Sequence, residues 1–154
     1  MNIRLLVTGR TTDEYLRESI AGFVKRISHY AGFAVEELQV KTSSSERQHV
    51  LQKEGEKMLS QVKNTDYLVL LDETGEEFTS VGFATKIGQL QNQGQSSMVF
   101  IIGGAYGFHE TVYKRANMKM ALSKMTFPHQ MVRLIFAEQL YRAFTILKNE
   151  KYHH

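Results

Sequence analysis

Cysteine is missing from this chain of 154 residues. Its absence excludes disulfides, thiolate metal sites and a cysteine nucleophile, and it is compatible with a reducing compartment. Proline occurs once, at Pro128. Long apolar runs are missing too. No stretch approaches the roughly 20 residues that cross a bilayer. The opening "MNIRLLVTGR" lacks a secretory apolar core because Arg4 interrupts it. A soluble, cytoplasmic protein is therefore expected. Several chemical signatures are also absent. No histidine or carboxylate cluster has metal-site spacing, so no metal is expected. There is no G-x-S-x-G elbow, no G-x-G-x-x-G fingerprint and no phosphate-binding loop ending in Lys-Ser/Thr.

What is present suits one compact domain spanning 1–154. Apolar residues at 42% and charged residues at 23% describe a folded chain rather than a disordered one. The net charge is only +3, but it is unevenly spread. From residue 105 onward, eight Lys/Arg stand against three Asp/Glu, whereas residues 1–104 carry eleven against thirteen. A cationic C-terminal third is where a polyanion would dock, although a solvated basic surface has the same pattern.

Apolar periodicity alternates between strand and helix. "NIRLLVT" (2–8) places Ile3, Leu5 and Val7 on one face, as a strand does. Thr11 and Glu14 suggest a capping box, followed by helical spacing of Leu16, Ile20, Phe23, Val24 and Ile27. "FAVEELQV" (33–40) reads as a second strand. The polar loop "KTSSSER" leads into a helix with Val50, Leu51, Met58 and Leu59 inward. "DYLVLLD" (66–72) and "SMVFIIG" (97–103) are continuous apolar runs, which fit strands covered on both faces. A turn, "ETGEEF", and a helix over 80–92 separate them. A glycine loop, a short helix, a last strand "MKMALS" (118–123) and a helix from about 129 to 148 complete the pattern. The order βαβαβαβαβα predicts an α/β fold, a mostly parallel sheet with helices on both faces. Ligands in such sheets sit beyond the C-terminal strand ends. That rule singles out the loops after Leu71, Ile102 and Leu122.

Pro128 restricts Phe127 to extended backbone and suits the start of a helix. Leu122, Met125 and Phe127 could then form an apolar slot for an adenine ring, or merely connect strand to helix. "GGAYG" (103–107) permits close backbone approach, though a tight turn needs no more. Glu138 and Arg142 are four apart and can pair. His129 and Arg133 are also four apart near a helix N-terminus, where the dipole disfavours cations, so RNA phosphate is a candidate to offset them. The last helix carries an apolar stripe of Val132, Phe136, Leu140, Phe144 and Leu147. Met131, Leu134, Ile135 and Tyr141 lie outside it. Such a helix needs burial on more than one side, within the domain or in a two-fold dimer.

Taken together, "LLDETG", "FIIGGAYG", "LSKMTFPHQMVRLIFAEQLYRAF" and the terminal "YHH" resemble the bacterial RlmH family. These are large-subunit ribosomal RNA methyltransferases of the SPOUT superfamily, acting on N3 of a pseudouridine in 23S rRNA. The likeness runs essentially the whole length. It implies a C-terminal trefoil knot, a homodimer, and S-adenosyl-L-methionine as methyl donor. It also implies donor contacts at Leu71, Gly103, Leu122, Ser123, Lys124, Met125, Thr126 and Phe127. His129, Glu138, Arg142, Tyr152 and His153 would line the substrate side, with His153 the candidate base. Tyr152 and His153 would reach the partner protomer's site. The implied RNA partner is the large subunit or assembled ribosome. A related knotted methyltransferase acting on tRNA, and a non-catalytic ribosome-associated dimer that holds nucleotide, are the alternatives.

Overall fold

A computed structural model describes all residues, Met1–His154. Five strands form one sheet: β1 (Asn2–Thr8), β2 (Gly32–Leu38), β3 (Tyr67–Glu77), β4 (Ser97–Ile102) and β5 (Met118–Ala121). Their order is β2-β1-β4-β3-β5, and every pairing is parallel. Five helices alternate with them: α1 (Glu14–Ile27), α2 (Arg47–Ser60), α3 (Ser80–Asn92), α4 (Glu110–Arg115) and α5 (His129–Leu147). This is the expected α/β architecture.

Side-chain alternation along the strands sorts the core into two layers. Ile3, Leu5, Val7, Val69, Leu71, Phe100 and Ile102 join Ile27 of α1, Phe83 and Ile87 of α3, and Phe136, Leu140 and Phe144 of α5. Leu6, Leu68, Leu70, Val99 and Ile101 join Met58 of α2 and Val112 of α4. The continuous apolar runs of β3 and β4 thus reflect burial on both faces. Each such side chain contributes about 1.5–3 kcal/mol on leaving water. Phe136 lies 4.6 Å from Phe100, ring centre to ring centre, and ties the middle of α5 to the central strand.

Three local expectations need correction. Asp13, not Thr11, caps α1, accepting from the Leu16 amide at 3.1 Å. Thr11 is instead buried, and its hydroxyl accepts from Arg133 at 2.7 Å. Arg133 is only 1% exposed, donates also to the Thr8 carbonyl at 2.9 Å and lies 3.9 Å from Glu37. It anchors α5 to the loop after β1 and cannot meet RNA phosphate; Glu37 supplies the offsetting charge. The turn after Leu71 is a bulge inside a longer strand. Met120 pairs with both Leu71 and Glu76, so residues 72–75 are extruded. Glycine is required there, because a Cβ on Gly75 would lie 2.5 Å from the Met120 nitrogen and 2.6 Å from the Lys119 carbonyl carbon.

Candidate active site

The bulge of β3 and the C-terminal ends of β4 and β5 open into one cavity of about 680 Å³, within the usual size of small-molecule sites. Leu71 and Ile102 form part of its floor, and Gly103 to Phe108 form one wall. Leu122, Ser123, Met125, Thr126 and Phe127 form another, with His129 and Val132 from the start of α5. Seven of the eight expected donor-contact residues therefore line one space. Lys124 does not: its side chain is 88% exposed and pairs with Glu77 at 3.8 Å.

The glycine wall folds tightly. Gly104 and Gly107 form a short antiparallel bridge, and Gly107 adopts φ +79°, which favours glycine. A Cβ on Gly103 would sit 2.9 Å from the Gly107 carbonyl oxygen. Behind the wall, Glu54 of α2 is only 6% exposed, and its Oε2 has no hydrogen-bond partner. Burial pushes its carboxyl up, with Thr8 opposing the shift. A Cβ on Gly104 would come within 2.5 Å of that oxygen. This flat backbone cradle, with an apolar slot opposite, fits an adenosyl group.

Pro128 is the N-cap of α5, with φ −53° and ψ 137°. Its carbonyl accepts from the Met131 and Val132 amides at 3.0 and 3.3 Å. The slot differs from expectation at Met125, which is 77% exposed and stands at the mouth. Its amide donates to Ser123 Oγ at 3.0 Å. His129 is solvent-exposed as a residue, yet desolvation of its ring and the charge of Arg133 hold its pKa below the ordinary histidine value.

Glu138, Arg142, Tyr152 and His153 form a second constellation. Arg142 donates to Glu138 Oε1 from Nε at 3.0 Å and from NH2 at 2.6 Å. Tyr152 donates to the same oxygen at 3.1 Å, and its ring lies 4.8 Å from the guanidinium carbon. Burial and the Glu138 hydrogen bond raise the Tyr152 pKa. Arg142 NH1 is 3.2 Å from His153 Nδ1. Arginine only donates, so Nδ1 is the acceptor in this contact. The tail is not frayed: Lys151–His153 form a 3-10 turn, and Tyr30 holds Glu150 at 2.7 Å.

His129 is not part of this cluster. Glu138 and Arg142 stand nine and thirteen residues further along α5, about 13 and 20 Å at 1.5 Å per residue. The cavity reaches no further along α5 than Val132. Asp72, Thr74, Tyr106, Tyr113 and Arg47, which sequence pattern alone does not single out, also line the cavity. Tyr113 donates to Asp72 Oδ2 across the space. The one available signal was the position of Asp72, directly after Leu71 at a strand's C-terminal end.

Comparison with known proteins identifies the family. A family model described as "Predicted SPOUT methyltransferase" matches residues 1–153. The chain is 50% identical to the "Ribosomal RNA large subunit methyltransferase H" of Flavobacterium johnsoniae, covering 100% of this chain and 99% of that one. A protein of the same name from Cytophaga hutchinsonii is 49% identical, over 100% of both chains. That of Clostridium acetobutylicum is 41% identical, over 99% of both. Among solved structures, a probable methylase family protein from Haemophilus influenzae superposes with a TM-score of 0.53 at 15% identity. It covers 99% of this chain and 70% of that one, a likeness of fold.

Proposed function

Because the chain belongs to the SPOUT methyltransferase family, we propose that it methylates N3 of a pseudouridine in 23S rRNA of the large ribosomal subunit, using S-adenosyl-L-methionine. The observation that carries this reading is the cavity at the β3 bulge and the ends of β4 and β5, lined by Leu71, Gly103, Leu122, Ser123, Met125, Thr126 and Phe127. Leu71, Gly103, Leu122, Ser123, Met125, Thr126 and Phe127 would hold the donor. When bound, the donor supplies an activated methyl group on a sulfonium. The trefoil knot implied by resemblance, and action in the cytoplasm, belong to this proposal. No helix is long and apolar enough to cross a membrane.

The protein's own groups then have definable tasks. The imide N3–H must lose its proton before nitrogen can attack. Arg142, turning from His153 to a flanking carbonyl oxygen of the base, would meet the negative charge that develops there. That movement frees His153 Nδ1 to accept the N3 proton, a role typically worth about 10²–10⁴-fold. Glu138 orients the guanidinium, and the Tyr152 hydroxyl in turn holds the Glu138 carboxylate. His129, whose pKa burial and the Arg133 charge hold below the ordinary histidine value, lines the cavity at the start of α5. In-line placement of methyl and nitrogen supplies much of the remainder.

Within one chain the cavity and the Arg142 cluster are too far apart to act on one base. Met131, Leu134, Ile135 and Tyr141 remain only partly covered along α5, and a second copy packed there would join one protomer's cluster to its partner's cavity. The working unit is then a homodimer. The test is methyl incorporation into separated large subunits, free 23S rRNA and tRNA, with mapping of the modified nucleotide. Modification of the large subunit at pseudouridine N3 is expected. Methylation of tRNA instead, or turnover on no RNA, would favour the other readings.

A further inference from the structure

We propose that Asp72 makes the cavity selective for a cationic methyl donor over its neutral demethylated by-product, an inference that rests on the donor reading above. The chain is net basic, and its proposed substrate is a polyanion. Yet the charged lining of the cavity is Asp72, Glu73 and Arg47. Arg47 is solvent-exposed, with its guanidinium carbon 5.4 Å from the Tyr106 ring centre. Glu73 is exposed and screened by water. Asp72 is half-buried and fixed.

The backbone is built to present it. Regular pairing would carry residue 72 into the ladder beside β5. The extruded bulge, which only glycine at 75 allows, turns Asp72 to the cavity instead, a common use of bulges beside active sites. Asp72 Oδ1 accepts from the Thr74 amide at 2.8 Å and from its hydroxyl at 2.6 Å. Oδ2 accepts from the Tyr113 hydroxyl. None of these partners is charged. Lys119 is the neighbouring cation; it donates to Thr74 Oγ1 at 3.4 Å rather than to the carboxylate. Burial of Asp72 favours protonation, but the bonds from Thr74 and Tyr113 and the Lys119 charge outweigh it and hold the carboxyl below its usual range.

An ionised, half-buried carboxylate without an ion-pair partner at the edge of a cavity attracts a cation. Methyl transfer turns the sulfonium into an uncharged thioether, so the attraction disappears as the product forms. Asp72 thus favours loading of the donor and release of the spent molecule.

Calorimetric titration of S-adenosylmethionine and S-adenosylhomocysteine into the wild-type protein, Asp72→Asn and Asp72→Ser tests this. Serine keeps an oxygen for the Thr74 turn without charge. The wild type should prefer the sulfonium ligand by about tenfold. Both variants should lose that preference through weaker donor binding, with thioether affinity within about twofold of wild type. Equal wild-type affinities, a preference that survives in the variants, or equal loss of both ligands would overturn the inference. Failure of the wild type to bind either ligand would instead refute the donor reading, and this one with it.

Discussion

Arg142→Ala should separate chemistry from stability. The guanidinium makes two bonds to Glu138 Oε1, at 3.0 and 2.6 Å, and one contact to His153 at 3.2 Å. The two side chains of the ion pair remain 21% and 22% exposed, so water reaches the gap left by truncation. Glu138 also keeps the Tyr152 hydroxyl. The pair therefore contributes about 1 kcal/mol or less to folding, a Tm shift of about 2–4 °C for a chain of this size. During methyl transfer the same cation meets charge on a carbonyl oxygen that forms only as N3 loses its proton. Loss of such a donor lowers the rate about 10²–10³-fold, or ~2.7–4 kcal/mol. Single-turnover methylation of large subunits, run beside a thermal melt, gives both quantities. A rate loss under tenfold would contradict this role for Arg142, as would a Tm drop large enough to account for the lost activity.

Two further outcomes follow from local geometry. Gly75→Ala should destabilise the protein by about 1–3 kcal/mol, because the new methyl meets the rigid backbone of Lys119 and Met120 rather than a movable side chain; an unchanged urea midpoint would contradict the bulge. Burial of Asp66 works against its ionisation, but bonds from Ser97 and the Lys63 amide and the charge of Arg4 prevail and lower its pKa. Its contribution is present above the unfolded value and is lost as pH falls through the folded one. Asp66→Asn should therefore cost about 1.5–3 kcal/mol at neutral pH, with the gap to wild type closing below about pH 4. Urea melts across that range check this, and a gap that persists at low pH would count against it.

The layered fold could be read from the chain because the strands differ in kind. β3 and β4 are apolar enough to be covered on both faces, whereas β1 alternates, and the helices between the strands force parallel pairing. The order β2-β1-β4-β3-β5 could not be read, since it depends on where each crossover lands. The strand-end rule found Leu71, Gly103 and Leu122 because it concerns local position. It could not find Tyr113, which reaches Asp72 from an element 41 positions later, nor the bulge, whose cause is contact between Gly75 and another strand. Arg133 was misread because a helix-terminal cation looks the same in sequence whether it meets solvent or a buried Thr11 and Glu37. The resemblance pointed to Tyr152 and His153, whereas helical spacing alone explained only the Glu138–Arg142 pair.

One subunit's donor cavity is proposed to work with its partner's Arg142 cluster, and mixing two inactive proteins probes this. Thr126→Trp fills the cavity from an exposed lining position, and Arg142→Ala disables the cluster. Once subunit exchange is confirmed by mass, half the dimers are mixed. Each mixed dimer then pairs one intact cavity with one intact cluster, so methylation should return to about a quarter of the wild-type level. A fully exchanged mixture that stays silent would show that cavity and cluster must belong to the same chain, and the account would fail.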